Sequence, residues 1–305
     1  MQQDKKNPTR AGFVALIGAP NVGKSTLVNA LVGTKISIVS RKVQTTRALV
    51  RGIAIVDSAQ IVFVDTPGIF EPRRRLDRAM VTSAWGGAGD ADVVCLLLDA
   101  RRGLDEPAEA ILTRLPELRQ PKVLILNKVD LVDRPKLLAL ASDLNARLPF
   151  VHTFMVSALT GDGTDVLLRE LAAMMPEGPW LYPEDQVSDA PLRMLAAEIT
   201  REQIYERLHE ELPYESTVET ESWEQRPDGS VRIEQTIYVA RESQRKIVLG
   251  KGGQTIKFIG QAARREIAEV AEAKVHLFLF VKVRENWSDD PERYRAMGLE
   301  FPSAR

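Results

Sequence analysis

Gly18-Ala19-Pro20-Asn21-Val22-Gly23-Lys24-Ser25 sets two glycines around four residues and follows them at once with a lysine and a hydroxyl. This pattern suits anion capture. Glycine lets backbone N–H groups turn inward around phosphate oxygens, and a helix opening at Lys24 adds positive potential at its N-terminus. Lys24 can reach the outer phosphates, Thr26 continues the same turn, and the Ser25 hydroxyl can ligate Mg²⁺. Some 40 residues on, Asp65-Thr66-Pro67-Gly68 offers a carboxylate to hold Mg²⁺ through water and a Gly68 N–H for a terminal phosphate. Between the two strings runs the polar segment Ser40-Arg41-Lys42-Val43-Gln44-Thr45-Thr46-Arg47, a switch that would supply a further Mg²⁺ ligand, with Thr46 favoured over Thr45.

Asn127-Lys128-Val129-Asp130 bears on the base. A carboxylate at Asp130 accepts hydrogen bonds from guanine N1–H and N2–H₂, whereas adenine presents no matching pair of donors. The implied nucleotide is therefore GTP. Asn127 can brace the site, Lys128 can lay its aliphatic stem along the base, and Ser157-Ala158-Leu159 can bring the Ala158 N–H to guanine O6.

These strings need a scaffold that holds them along one edge. Apolar β-type runs at Phe13–Ile17, Leu49–Asp57, Gln60–Val64, Val93–Leu98, Lys122–Leu126 and Phe154–Val156 alternate with helical patterns near 24–32, 74–88, 105–118, 134–148 and 163–175. That alternation predicts an α/β domain, a mostly parallel sheet covered by helices, over residues 12–175 after a polar segment 1–11. Prolines 176, 179, 183 and 191 predict a linker at 176–191. A smaller α+β domain follows at 192–285, in the order helix, strand, strand, helix, helix, strand, with a tail at 286–305.

In that second domain Gly250-Lys251-Gly252-Gly253 lies between two helical segments. Residues 241–284 carry ten Lys/Arg against four Glu, a net charge of +6, whereas 198–224 is acidic. Positive charge thus surrounds the glycine loop. Ile247, Leu249, Ile256 and Ile259 read as core. Trp287 and Tyr294 read as caps on the fold.

The four ordered strings resemble the translation-factor class of P-loop GTPases, and the C-terminal element order with its G-x-x-G resembles a type II KH domain. Together, with Glu211-Leu212-Pro213-Tyr214 and Val275-His276-Leu277 followed by Val281-Lys282-Val283, they resemble the Era family of bacterial ribosome-assembly GTPases over nearly the whole chain. The resemblance implies a slow GTPase using GTP/GDP and Mg²⁺. Its nucleotide site is Gly18, Asn21, Val22, Gly23, Lys24, Ser25, Thr26, Asp65, Gly68, Asn127, Lys128, Asp130, Ser157, Ala158 and Leu159, with Mg²⁺ at Ser25, Thr46 and Asp65. Catalysis falls to Lys24, Asn21, Thr46 and Gly68. Signalling GTPases place a water-orienting glutamine after the Asp-x-x-Gly string, but Ile69-Phe70 stands here, so the reaction relies on positioning, charge and an outside contribution. In relatives with the Pro-Asn-x-Gly-Lys-Ser form the loop asparagine holds K⁺, which makes Asn21 a candidate K⁺ ligand.

The resemblance further implies nucleotide-dependent binding of the single-stranded 3′ end of 16S rRNA during 30S subunit assembly, through Gly250, Lys251, Gly252, Gly253, Lys246 and Lys257. It also implies a monomer, with peripheral contact at the cytoplasmic face of the inner membrane. The alternative is a signalling GTPase whose C-terminal module binds protein or membrane.

Composition narrows the field. With 305 residues, 44% hydrophobic, and 41 Lys+Arg against 42 Asp+Glu, the overall charge of −1 names no partner. The one cysteine, Cys95, sits in an apolar run, which excludes an internal disulfide and disfavours an RNA-modification GTPase with a C-terminal catalytic cysteine. A tandem GTPase would need a second phosphate loop. A polar start and no apolar run of about 20 residues predict a cytoplasmic protein without signal peptide or spanning helix. His152, His209 and His276 are scattered, so no histidine metal cluster is expected.

Overall fold

The structure is a computed structural model that describes residues 8–40, 42, 44–208, 212–285, 287 and 290–302. Met1 to Asn7, Arg41, Val43, His209 and Glu211, on which parts of the sequence reading fall, lie outside the described residues, as do 286, 288, 289 and 303–305 of the tail. The chain divides into two compact units, one formed by residues up to 37 and 46–189, the other by 38–45 and 190–305.

In the first unit β1 (Arg10–Ile17) pairs in parallel with β3 (Ala59–Asp65) and β4 (Val93–Asp99). Beyond β4 lie β5 (Lys122–Asn127) and β6 (His152–Val156), also parallel, and β2 (Val50–Val56) joins β3 antiparallel at the other edge. The order is β2-β3-β1-β4-β5-β6. β3 and β4 are buried at every position, as expected of central strands covered on both faces, where apolar runs need not alternate. Because β1, β3, β4, β5 and β6 run the same way, their C-terminal ends share one edge, which carries Gly18, Asp65, Asp99, Asn127 and Ser157.

The covering helices are α1 (Lys24–Val32), α2 (Arg75–Gly89), α3 (Glu106–Arg114), α4 (Arg134–Arg147) and α5 (Thr164–Met174). One expected helix is shortened. The segment predicted near 105–118 is α-helical only to Arg114 and tightens to a 3₁₀ turn at Leu115–Glu117, because Pro116 has no N–H to continue the ladder. β1 begins earlier than the apolar pattern at Phe13 indicates, since pairing with β3 recruits Arg10. Cys95 is fully buried within β4, where burial pushes its thiol pKa up, so it packs rather than reacts.

The proline-bearing stretch after α5 is held on this unit. Trp180 Nε1 donates to Ser58 O (3.0 Å), and the buried Gln60 accepts from the N–H groups of Leu181 and Tyr182 while donating to Tyr182 O. Arg51 pairs with Asp189 at 2.8 Å.

The second unit has a three-stranded sheet of β7 (Ser216–Gln225), β8 (Val231–Val239) and β9 (Val275–Val283), antiparallel then parallel. Its helices are α6 (Leu192–Arg207), α7 (Glu242–Leu249), α8 (Gln254–Val270) and α9 (Pro291–Ala296). Leu195 and Ile199 of α6 and Ala263 and Ile267 of α8 close a core over β8, which Ile38 also enters. Trp287 and Tyr294 are buried, Trp287 Nε1 donating to Glu215 O (3.0 Å), so both cap the fold. Among the described residues no helix is long and apolar enough to cross a membrane.

Candidate functional site

The turn between β1 and α1 is possible only with glycine at its ends. A Cβ on Gly18 would collide with Leu97 O, and Gly23 (φ +103°) would strike Asn127 Nδ2. Lys24, 6% exposed, folds into this turn and donates to Gly18 O (3.0 Å) and Ala19 O (3.1 Å). Burial lowers its pKa from 10.5 to about 8, against a smaller opposing pull from Asp65. Two pH effects follow. Between about pH 8 and 10.5 the unfolded chain holds the proton that the folded, ligand-free protein has shed, so stability attributable to Lys24 rises with pH. Phosphate binding demands the charged form, so GDP affinity should fall about tenfold from pH 7 to pH 9, measured by fluorescent-nucleotide titration. A flat profile would remove Lys24 from phosphate contact.

The end of β3, the first residue pair of α1 and the polar loop converge. Ser25 Oγ lies 2.7 Å from Asp65 Oδ2 and 2.9 Å from Thr46 Oγ1, with Thr46 Oγ1 to Asp65 Oδ2 at 3.3 Å. Ser37, which the sequence did not single out, adds a hydroxyl bond to the same carboxylate oxygen (2.7 Å). Thr45 points its hydroxyl to Lys42 O instead (2.8 Å). Burial raises the Asp65 pKa, opposed by the bonds from Ser37 and Ser25, the charge of Lys24 and the Thr46 bond. Asp65 Oδ1 is buried with no hydrogen-bond partner among the described residues. A fully buried carboxylate with one unmet oxygen, beside three hydroxyls, fits a hard cation such as Mg²⁺, which Ser25, Thr46 and Asp65 could hold. Gly68 packs on Pro20, a Cβ there falling 2.9 Å from its ring, and Ile69 N–H donates to Gly18 O (3.0 Å), tying this string to the phosphate loop.

Two adjacent side chains at the end of β5 tie the Asn127–Asp130 string to the loop between β1 and α1. Asn127 Nδ2 donates to Val22 O (2.9 Å), and Lys128 Nζ donates to Asn21 O (2.7 Å) and pairs with Asp99 (2.8 Å). Asn21 and Lys128 both adopt the left-handed region, with φ of 64° and 65°. Asp130 stands exposed on the short turn Val129–Leu131, Ser157 is buried and Leu159 is exposed. The Ala158 N–H donates to Asn127 Oδ1 (3.0 Å), because Asn127 and Val156 are in register on adjacent parallel strands and the amide reaches the turn that follows, so the serine-alanine turn and the asparagine are joined at one end of the site. Asp99 was also missed: a single Asp at the end of an apolar run carries no signal until β4 sets it beside β5.

In the second unit, α7 and α8 are joined by Gly250 (φ 72°, ψ 174°), Gly252 (φ 60°) and Gly253 (φ 74°), all conformations that favour glycine. Lys251 and Gly252 are exposed at the N-terminus of α8, with exposed Lys246 and Lys257 on either side. Beside the loop, a groove between α8 and β9 is lined by Ile256, Lys257, Gly260, Arg264, Leu277 and Leu279. Apolar walls with cationic residues among them suit a chain with flat bases and anionic links. Of the isoleucines expected in the core, only Ile259 is fully buried; Ile256 lines the groove and Ile247 is exposed, since the helical kink at Gly250 ends the periodicity that would have turned both inward.

Comparison with known proteins decides the family. Residues 13–128 match the family described as 50S ribosome-binding GTPase, and residues 211–288 match the KH domain. The chain is 72% identical to GTPase Era of Afipia carboxidovorans, over 99% of this chain and 98% of the relative. The chain belongs to the Era family of GTPases. A second relative, GTPase Era of Bradyrhizobium diazoefficiens, is 70% identical over 96% of both chains. Among solved structures, Era in complex with MgGDPNP and nucleotides 1506–1542 of 16S ribosomal RNA superposes with a TM-score of 0.90 at 38% identity, covering 95% of this chain and 99% of that one. An Aquifex aeolicus Era variant bound to GDP·AlF₄⁻ gives the same TM-score, identity and coverage. As an Era-family protein the chain is a GTP hydrolase, a P-loop α/β domain with a mostly parallel sheet followed by a KH domain, as its strings and element order implied.

Proposed function

We propose that this Era-family GTPase uses its nucleotide state to govern its grip on the single-stranded 3′ end of 16S rRNA during assembly of the 30S subunit. The observation that carries this reading is the groove between α8 and β9, where Lys257 and Arg264 stand among Ile256, Leu277 and Leu279, following the exposed glycine loop with Lys251, on a chain whose structural likeness includes Era bound to 16S RNA nucleotides. The loop and the α8 N-terminus receive phosphates, and the groove admits bases. Residues 12–175 serve the nucleotide and 192–285 the RNA, with 176–191 between them.

At the nucleotide site, Lys24 and the loop N–H groups hold the phosphates, Gly68 presents its N–H to the terminal one, and Asp130 selects guanine. Mg²⁺ held by Ser25, Thr46 and Asp65 supplies charge neutralisation. Ile69 and Phe70 bring no group that can orient water, so hydrolysis proceeds by positioning and is slow. Asn21, in its left-handed conformation, is the candidate K⁺ ligand. On that reading hydrolysis runs faster in KCl than in NaCl at matched ionic strength, and equal rates would remove Asn21 from that role.

The polar segment that ends at Thr46 is held by α6. The residues before it, 38–45, belong to the second unit, where the buried Arg201 donates to Thr45 O, Tyr205 OH to Gln44 O (3.2 Å), and Glu202 accepts from Val39 N–H (2.6 Å). The protein so read is a cytoplasmic monomer with peripheral contact at the inner membrane. Ultraviolet crosslinking and sequencing of cellular RNA bound to the Mg²⁺-GTP form tests the proposal: reads should pile up at the 3′ end of 16S rRNA, and a spread over unrelated RNAs would overturn it in favour of a signalling GTPase with a non-specific polyanion surface.

A further inference from the structure

We propose that Asp99 is a positioning residue for nucleotide binding, acting through Lys128 on the phosphate loop. It rests on reading Asn127–Asp130 as the guanine-binding string.

Asp99 ends β4, in register with Asn127 at the end of β5, and its side chain is 1% exposed. A carboxylate so buried must be compensated, and its partners are specific. Oδ2 takes the Lys128 ammonium at 2.8 Å and the Arg101 guanidinium at 3.3 Å, while Oδ1 accepts the Arg101 N–H at 3.1 Å. Burial pushes the Asp99 pKa up, but the bond and charge of Lys128, with Arg101, outweigh it and hold the group below the ordinary range. Arg101 and Arg102 are about half exposed and reach outward; Lys128 is the partner turned toward the nucleotide site.

What Lys128 does with its other hydrogen bond gives Asp99 its consequence. The ammonium donates at 2.7 Å to the carbonyl of Asn21, which sits in the phosphate loop at φ 64°, a conformation unusual for a residue with a side chain. Lys128 itself is held at φ 65°. A single cation therefore links a fixed carboxylate on β4, the base-binding string after β5 and the loop after β1. Without the carboxylate, a long flexible side chain would have only a neutral carbonyl to order it, and both the stem that lies along the base and the Asn21 peptide would lose a restraint.

The test compares Asp99→Asn, which keeps size and the acceptor for the Arg101 N–H, with Asp99→Ala, Lys128→Met and the Asp99→Asn/Lys128→Met double variant. Fluorescent-GDP titration and competition by GDP and IDP are read on the full chain. Asp99→Asn should weaken GDP about 5- to 10-fold, Asp99→Ala more, and the double variant should match Lys128→Met alone within about twofold, since neighbours acting on one another are non-additive. The GDP-to-IDP ratio should stay unchanged, because IDP lacks only the amino group that Asp130 receives. Full additivity would overturn the proposal, as would unchanged affinity or a collapse of the GDP-to-IDP ratio in Asp99→Asn. Failure of the underlying guanine reading is separable: it appears as no preference for GDP over ADP in the unmodified protein.

Discussion

Asp130→Asn should cost GDP affinity by about 10²- to 10³-fold, the loss of two charge-assisted hydrogen bonds. The carboxylate presents two acceptors to the N1–H and N2–H₂ donors of guanine. Asparagine presents one acceptor and one NH₂, so a donor meets a donor at C2. Xanthine, which carries a carbonyl at C2, matches the amide instead, and XDP should become the preferred diphosphate. The exposed position of Asp130 on the turn Val129–Leu131 makes the substitution neutral for folding, so a melting curve should not move while calorimetric titrations with GDP, XDP and ADP change rank. Retained GDP preference in the variant would mean that another group reads the base.

The second large effect is expected in the glycine loop. Lys251→Asp with Gly252→Asp exchanges one positive charge for two negative ones where RNA phosphates are to lie. Space is open around the Cβ position of Gly252, and aspartate tolerates its φ of 60°, so the helices should persist. Affinity for a single-stranded oligonucleotide should fall by about 100-fold or more, with GDP binding unchanged. Gly250→Ala acts differently: at φ 72° and ψ 174° its Cβ would clash with Thr255, whose backbone opens α8, so this variant should lose stability by about 1–3 kcal/mol along with RNA binding. If the charge-reversed loop binds RNA as well as the parent, the groove is not the RNA site.

How legible the site was depends on distance along the chain. Gly18 to Ser25 could be read because the chemistry is local: the glycines, the lysine and the hydroxyl act within one turn and the start of α1. Asp65 and Asn127 were legible because each ends an apolar run, and parallel strands bring such ends to one edge. Ser37 and Asp99 were not, since one is a hydroxyl in an irregular segment and the other gains meaning only from the β4–β5 register. The bond from the Ala158 N–H to Asn127, 31 residues away, was hidden for the same reason. In the second unit the element order was readable from periodicity, but the kink at Gly250 turned Ile247 and Ile256 out of the core, and no pattern in 38–45 signals that Arg201, Glu202 and Tyr205 hold that segment.

Guanine nucleotide and single-stranded RNA should be thermodynamically coupled on this protein, which is measured by titrating one labelled oligonucleotide from the 3′ end of 16S rRNA against the full chain loaded with Mg²⁺ and a non-hydrolysable GTP analogue, then with GDP. Binding should be tighter with the analogue by about 5- to 100-fold, and the same factor should appear in analogue-over-GDP affinity when RNA is added first. Equal oligonucleotide affinity in the two nucleotide states would contradict that coupling.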